Sequence, residues 1–249
     1  MRVLFAGGGT GGHLMPGAAT AAALSSLLPG AWSLFLLTEH RAEKQCCAAL
    51  AGFQTARVPA TPWEGTSDKL RFPVRMLEAA GRVLDIVRAF RPHVVVGLGG
   101  FRTIVPVLLG RALNIRTALL ESNAIPGGAV RLLAPVADAV ILQWEQAARG
   151  LKARRILVAG NPVRARLFGV RREAATRRLG LSPGKRTLLA LGGSQGALSL
   201  NRALHEALAS ICARSSDLQI LHLTGVDHLP AALEWQDSLG VTSYGRSAS

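Results

Sequence analysis

A histidine that follows a glycine-rich turn is the residue in this sequence best placed to do chemistry. The segment RVLFAGGGTGGHLMPG (2–17) predicts a buried strand, a glycine turn and the start of an alanine-rich helix. Backbone amides at such a helix start can seat a phosphate or diphosphate. His13 follows this seat, where the amides disfavour its protonation and a neutral imidazole can accept a hydroxyl proton. A polar helix-start residue without a chemical role is the alternative interpretation.

Four further residues are candidates for ligand contacts because they follow predicted strands or glycine turns. Glu121 and Asn123 end the predicted strand RTALLE and enter a loop, where Asn123 either forms an ordinary turn or binds a ligand. Arg164 lies in the run GNPVR, where an exposed surface arginine is the alternative. Ser194 lies in a second glycine turn, where its hydroxyl could cap the next helix or bind a phosphate oxygen. The other histidines lack ligand spacing, so the sequence predicts no metal site built by the protein.

Alternating strands and helices must position these residues. The alternation predicts a parallel sheet covered on both faces, with ligands at the carboxyl ends of its strands. After the first strand, the predicted strands cover 32–38, 93–96, 116–121 and 137–142, with strand and loop over 53–69; the predicted helices cover 14–28, 43–51, 70–91, 104–113 and 128–135.

The opening pattern recurs in the second half of the chain. TLLALGGSQGALSLNRALHEAL (187–208) again predicts strand, glycine turn and helix, and LQILHLTG (218–225) predicts one more strand before a polar tail. Two such turns imply two similarly built halves that face one cleft. The second half has too few predicted elements for a doubly wound core of its own, so we expect it to be incomplete. We therefore predict domains over 1–160 and 161–249.

Composition limits the partners and the compartment. Lysine and arginine number 29 against 15 acidic residues, a net charge of +14 that indicates anionic partners such as phosphates, nucleic acid or an acidic membrane surface. Three cysteines without disulfide or metal spacing indicate a reducing compartment, the cytoplasm. The uncharged segment 14–38 is divided by Pro29 and Gly30, which favours a buried helix and strand over a transmembrane helix or a signal peptide.

The predicted helix over 70–91 carries a polar stripe along one side. Its members are spaced at helical intervals, and the rest of the helix is largely apolar. The helix either packs on the core with a solvated edge or rests on anionic lipid with a basic amphipathic surface. The stripe consists of Arg71, Arg75, Glu78, Arg82 and Asp85.

Five segments resemble, in order and spacing, the MurG-type glycosyltransferase family: GGGTGGHLMP (7–16), GLGGF (97–101), ESN (121–123), GNPVR (160–164) and GGSQGALSLN (192–201). The resemblance implies an α/β fold of the GT-B type, with two Rossmann-like doubly wound parallel-sheet domains that face one cleft, the second incomplete here. It also implies a hexosyltransferase of peptidoglycan biosynthesis. Such an enzyme transfers N-acetylglucosamine from UDP-N-acetylglucosamine, with inversion, to undecaprenyl-diphosphate-linked N-acetylmuramoyl-pentapeptide and forms lipid II.

The resemblance also assigns roles to residues and domains. The N-terminal domain would bind the acceptor on the membrane side, and the C-terminal domain would hold most of the UDP-sugar site. The family's Thr-Gly-Gly falls on Thr10, Gly11 and Gly12, and its proposed base falls on His13. Its donor contacts fall on Asn123, Arg164 and Ser194, and further candidates within the same motifs are Glu121, Gln195 and Gly196.

The partners that the resemblance implies are UDP-N-acetylglucosamine, the undecaprenyl-linked acceptor lipid and the membrane surface. The enzyme would be peripheral, on the cytoplasmic face of the bacterial inner membrane, and no nucleic acid partner is expected. The implied scheme requires no cofactor, and a Mg²⁺ ion bound with the diphosphate is compatible with it.

The sequence departs from the family pattern at several positions. Leu120 and Ser122 stand where the family usually has His and Gln, and Phe101 replaces a usual Tyr. The family's later C-terminal motif, whose glutamate binds the donor ribose and whose glutamines contact the sugar, has no counterpart in this chain, so we expect a truncated donor site.

Two other functions are open from the residues alone. In a nucleotide-dependent dehydrogenase, Gly7, Gly9 and Gly12 would seat the pyrophosphate and Glu39 would hold the ribose, although one dinucleotide site needs no second glycine turn. A basic binding module for nucleic acid or membrane would use residues 149–186, which hold twelve basic residues against one acid. No aromatic residues alternate with these charges, which favours a solvated surface at the interdomain crossing.

Overall fold

The structure is a computed structural model that describes residues 1–7, 11–38, 50–59, 66–193, 196–214, 217–225, 228–238 and 243–245. The chain divides into two units, Met1–Phe168 and Gly169–Ser249. The sequence-based division after residue 160 lies slightly before the division after Phe168 that the structure shows. The assignment of acceptor and donor roles to the two units stays a prediction.

Unit 1 is built on a seven-stranded parallel sheet with the strand order β3-β2-β1-β4-β5-β6-β7. Because the order reverses between β1 and β4, the carboxyl ends of these strands flank a topological switch point, where ligands bind in such folds. The predicted doubly wound α/β fold is therefore confirmed for this unit. The strands are β1 (Arg2–Ala6), β2 (Trp32–Leu37), β3 (Gln54–Arg57), β4 (Val94–Gly97), β5 (Arg116–Glu121), β6 (Ala139–Leu142) and β7 (Ile156–Val158).

Helices cover both faces of this sheet. Successive residues of each strand point to opposite faces, and apolar residues on both faces are buried against helices. On one face Leu4 and Leu36 join a buried cluster with Val83 of the second helix. On the other face Phe5 and Phe35 stack with ring centroids 4.7 Å apart, in a cluster that includes residues of the first helix. The helices of unit 1 are α1 (Gly11–Leu27), α2 (Thr66–Phe90), α3 (Ile104–Ala112) and α4 (Gly128–Leu133).

Helix α2 packs on the core with a solvated edge along its described side chains. Its apolar residues Ala79, Val83 and Val87 are buried, whereas Glu78, Arg82 and Asp85 of the predicted stripe are exposed. The side chains of Arg71 and Arg75 lie outside the described part of the chain, as does most of the predicted helix 43–51. No helix that the structure describes combines the length and apolar character needed to cross a membrane.

Unit 2 contains a three-stranded parallel sheet with the order β10-β9-β8. The predicted polar tail is wrong for part of its length, because residues after 225 include a helix and a short strand. Ala232 of that helix is buried, so the helix is held by packing that a largely polar tail sequence does not reveal. The elements are α5 (Arg172–Leu179), β8 (Arg186–Leu191), α6 (Leu198–Arg214), β9 (Leu218–Leu223), α7 (Leu229–Ser238) and β10 (Ser243–Gly245).

The core of unit 2 is small. One cluster of four buried apolar residues joins β8, β9 and α6: Ala190, Leu204, Leu208 and Ile220. Strand β8 forms one edge of the sheet, and Ala190 is its only buried residue. Leu189 and Leu191 on this strand are 51% and 53% exposed.

Candidate functional site

The loops after β1 and β4 are joined directly at the carboxyl edge of the unit 1 sheet. Thr103 is fully buried, and its hydroxyl lies 3.1 Å from the carbonyl oxygen of Ala6 and 2.8 Å from that of Gly99. Gly7 has φ +120°, and a Cβ atom there would overlap the Thr103 hydroxyl and lie 2.7 Å from the Gly99 oxygen. The first glycine turn therefore has no room for a side chain on this side. Thr103 was not predicted, because its role depends on a contact with β1 that the local sequence does not encode.

His13 lies in the first turn of α1 and packs against the turn after β4. A Cβ atom at Gly99, which has φ +95°, would come within 3.0 Å of His13 Cδ2 and 3.1 Å of its Nε2. Burial lowers the pKa of His13, and the negative charge of Glu121 opposes that shift. The imidazole is therefore held neutral near pH 7, in the form that accepts a proton. Gly11 and Gly12 begin the same helix, whereas Thr10 lies outside the described residues.

Glu121 organises the loop that follows β5. Its side chain is buried, and Oε1 accepts hydrogen bonds of 2.8 Å from both the backbone N–H and the Nδ2 of Asn123. Its Oε2 accepts a third bond of 2.8 Å from the backbone N–H of Gly127. The exposed Asn123 is thus both a turn residue and an oriented amide, with Oδ1 as its remaining acceptor. Glu121 is better suited to shaping this loop than to accepting a substrate proton.

The GNPVR segment is attached to the same loop. Ser122 Oγ donates to Asn161 Oδ1 at 3.1 Å, and the indole N–H of Trp144 donates to the Ser122 carbonyl at 3.2 Å. Arg164 ends this segment and is partly buried. Within the part of the chain that the structure describes, its guanidinium makes no hydrogen bond or ion pair. The guanidinium of Arg164 is therefore carried by a segment that is hydrogen-bonded, through Asn161, to the loop that contains Asn123.

The second glycine turn precedes α6 in unit 2. Gly193 and Gly196 have φ +81° and +77°, and the amide of Gly196 donates to the carbonyl of Gly193 at 3.2 Å. Ser194 and Gln195 lie outside the described residues, as does Glu39, the ribose ligand of the dehydrogenase alternative. The described residues also contain no group of three or more His, Cys, Asp or Glu side chains that could hold a metal ion.

A family model matches the part of the chain that carries several of these site residues. The glycosyltransferase family 28 N-terminal domain matches residues 3–142, which contain His13, Gly99, Glu121 and Asn123. The match covers more than half of the chain and most of unit 1.

Two curated relatives carry the name UDP-N-acetylglucosamine–N-acetylmuramyl-(pentapeptide) pyrophosphoryl-undecaprenol N-acetylglucosamine transferase. The protein from Thermodesulfovibrio yellowstonii is 32% identical over 227 residues, which are 90% of this chain and 62% of the relative. The protein from Caldanaerobacter subterraneus is 34% identical over 238 residues, or 94% of this chain and 64% of the relative. The chain thus spans less than two thirds of the length of these relatives.

Solved structures of similar architecture show the fold. MurG from Acinetobacter baumannii superposes with a TM-score of 0.67 at 20% identity, covering 98% of this chain and 65% of that structure. UDP-GlcNAc 2-epimerase from Neisseria meningitidis, bound to UDP-GlcNAc, superposes with a TM-score of 0.69 at 14% identity, covering 100% and 72%. The predicted GT-B architecture is therefore confirmed.

Proposed function

The chain belongs to glycosyltransferase family 28, and on that premise we propose that it makes lipid II. The donor is UDP-N-acetylglucosamine, and the acceptor is the N-acetylmuramyl-(pentapeptide) pyrophosphoryl-undecaprenol that the names of its relatives describe. The reaction would serve peptidoglycan biosynthesis.

The position of His13 is the observation that carries this proposal. Its imidazole packs on Gly99, beside the glycine turn, and burial lowers its pKa. A general base for a sugar hydroxyl must be neutral at working pH and must lie where an acceptor can approach. The dehydrogenase alternative gives this histidine no comparable task.

The proposed reaction is a single displacement. A hydroxyl of the acceptor sugar transfers its proton to His13, and the hydroxyl oxygen forms a bond to the anomeric carbon of N-acetylglucosamine. The bond from that carbon to the diphosphate oxygen breaks, and UDP leaves with the electron pair. Because attack and departure occur on opposite sides of the carbon, the anomeric configuration inverts.

Several groups are assigned to the donor. The guanidinium of Arg164 would stabilise the charge that develops on the departing diphosphate, because charge-assisted hydrogen bonds to phosphate are strong. Asn123 would bind the donor through the amide atoms that Glu121 leaves unused. In unit 2 the amides near Ser194, Gln195 and Gly196 would bind phosphate oxygens. These contacts require no metal ion, and Mg²⁺ bound with the diphosphate is compatible with them.

The acceptor lipid implies a location at the membrane. We propose that the protein is peripheral, on the cytoplasmic face of the bacterial inner membrane, with Thr10 to Gly12 beside the acceptor diphosphate. The net charge of +14 supports attraction to an anionic leaflet. The exposed Arg82 on α2 is a candidate for that contact.

Calorimetry with the 249-residue chain tests the donor assignment. We expect saturable binding of UDP-N-acetylglucosamine, competition by UDP, and no binding of NAD. The variant Arg164→Ala should weaken donor binding about tenfold, the equivalent of about 1.4 kcal/mol, whereas the exposed neighbour Arg166→Ala should not. Tight NAD binding with no response to UDP-N-acetylglucosamine would overturn the proposal in favour of a dehydrogenase.

A further inference from the structure

A buried polar network lies beneath the second glycine turn. Asn201 in the first turn of α6 and His222 in β9 are 1% and 3% exposed, and Thr224 just after β9 is fully buried. Asn201 Nδ2 donates to the Thr224 carbonyl at 3.0 Å, and Asn201 Oδ1 lies 2.9 Å from His222 Nε2. The Asn201 side chain therefore bridges the start of α6 and the end of β9.

The hydrogen-bond directions in this network follow from its geometry. Because Asn201 uses Nδ2 on a carbonyl, its Oδ1 must accept, so His222 Nε2 carries a hydrogen and donates. Burial lowers the pKa of His222, which favours the neutral ring. Asn201 Nδ2, Asn201 Oδ1 and His222 Nε2 thus each have a hydrogen-bond partner, as buried polar groups in native proteins generally do.

The same carbonyl that Asn201 holds also touches the turn. A Cβ atom at Gly196 would overlap the Thr224 carbonyl oxygen and lie 3.0 Å from the Gly225 Cα atom, so Gly196 packs directly on the end of β9. Gly192 at the start of the turn packs on the residue that precedes α6, since a Cβ atom there would overlap the backbone nitrogen of Ala197. The position of Thr224 therefore sets where the turn sits relative to α6.

We propose that Asn201 and His222 are positioning residues for the sugar nucleotide, because they fix the Thr224 carbonyl on which Gly196 packs, and Gly196 joins the diphosphate-binding glycine turn to α6. This inference rests on the proposed function. The turn supplies backbone amides, and amides bind an anion well only when they are fixed in advance and need no reorganisation. An apolar pair would fill the same space but would leave the Thr224 carbonyl without its partner.

Donor affinity tests the proposal with three variants and one control. Asn201→Leu removes the bridge, and His222→Phe keeps the ring volume but removes the donor. Both should weaken binding of UDP-N-acetylglucosamine by about tenfold, or about 1.4 kcal/mol. His222→Gln places an amide donor near the lost Nε2, so it should recover most of the affinity.

The control removes a similar network at the opposite end of β9. The buried Gln219 bonds Ser182 and Thr187 at 2.9 Å, so Gln219→Leu should lower stability without changing donor affinity. If Gln219→Leu weakens donor binding as much as His222→Phe does, the network acts through stability alone and the proposal fails. If Asn201→Leu does not fold, the donor affinity of His222→Phe still tests the proposal.

A second readout needs no ligand. The amide of Gly196 is bonded to the Gly193 carbonyl, so its hydrogen exchange, measured by NMR, reports on the turn. We expect faster exchange at Gly196 in His222→Phe and restored protection in His222→Gln. If the wild-type chain binds no UDP-N-acetylglucosamine, the proposed function fails but this exchange result still tests the network. Unchanged exchange at Gly196 in both His222 variants would overturn the positioning role.

Discussion

At the scale of single residues, His13 takes its chemical character from Gly99 and Glu121. Gly99 packs on the ring and helps to bury it, and Glu121 contributes a nearby negative charge. We expect His13→Ala to slow sugar transfer at least about 10²-fold, the low end of general-base effects, while donor affinity stays unchanged. An assay with radiolabelled UDP-N-acetylglucosamine and lipid-linked acceptor measures this, with the exposed His93→Ala as control. Undiminished turnover would exclude His13 as the base.

The pH dependence of transfer should carry the same signature. The neutral form of His13 is the active base, so the rate falls as pH falls through its pKa. Because burial lowers that pKa from 6.5, the acid limb of kcat/KM should have its midpoint below pH 6.5. A pH–rate profile from pH 4.5 to 8 would locate it, and a midpoint well above 6.5 would contradict the assigned base.

Glu121 offers a separate residue-scale prediction. Three N–H groups donate to its carboxylate. In a glutamine, an NH₂ group would replace one carboxylate oxygen and would face an N–H group that also needs an acceptor. We expect Glu121→Gln to cost about 1–3 kcal/mol of unfolding free energy and to weaken donor binding through Asn123. Urea unfolding and calorimetry measure the two effects, with the exposed Glu145→Gln as control. Equal stability of both variants would show that the loop does not need the carboxylate.

The sequence predicts some of these residues and misses others for a physical reason. His13, Asn123 and Arg164 stand in local motifs whose residue types indicate chemistry. Thr103 instead acts on Ala6, 97 residues away, and His222 on Asn201, 21 residues away. Such partners meet only through tertiary packing, so spacing along the chain gives no sign of them.

At the scale of elements, the amino ends of β5 and β6 are held together by Asp138. Its carboxylate accepts the backbone N–H of Thr117 at 2.8 Å and faces Arg111 and Arg154 at 3.6 and 3.8 Å. The Thr117 N–H, with smaller contributions from the charges of Arg111 and Arg116, lowers the pKa of Asp138 below 3.8. The carboxylate therefore stabilises the fold fully above its unfolded-state pKa and loses that effect as pH falls through the lower folded-state pKa.

Asp138→Asn tests this link because it removes the charge and keeps the shape. We expect the variant to be less stable than the wild type at pH 7, with the difference shrinking steadily below about pH 4. Chemical denaturation at a series of pH values measures the difference, and the exposed Asp85→Asn on α2 is the control. A constant difference from pH 7 down to pH 2 would mean that the charge is not the source.

Helix α2 carries the element-scale prediction about lipid. Its buried side packs on the core and stabilises the helix, and its exposed Arg82 is accessible to an anionic surface. We expect Arg75→Glu combined with Arg82→Glu to weaken cosedimentation with phosphatidylglycerol vesicles, since each basic residue near such a surface contributes about 1 kcal/mol. Reversing Arg177 and Arg178 on α5 changes the net charge equally and is the control. Equal losses would indicate a general charge effect, and no loss would assign α2 to core packing alone.

At the scale of the whole molecule, most of unit 1 could be predicted from the sequence. The predicted strands are buried runs such as VLFA and VVVG, and glycine turns mark where several of them meet a helix. Strand β7 was missed, because Ile156–Val158 lie in the basic segment 149–186 that was assigned to the interdomain crossing. Unit 2 could be predicted only in part. α7 and β10 were missed because their residues lack a strong periodic pattern; in the structure α7 contacts α6, and β10 pairs with β9.

The exposed strand β8 has a consequence for handling the purified chain. Its outer edge bears backbone N–H and C=O groups with no neighbouring strand in the described structure, and its side chains Leu189 and Leu191 are about half exposed. Such an edge is a template on which other polypeptides can add strands. We therefore expect precipitation at high protein concentration to depend on the six residues of this strand.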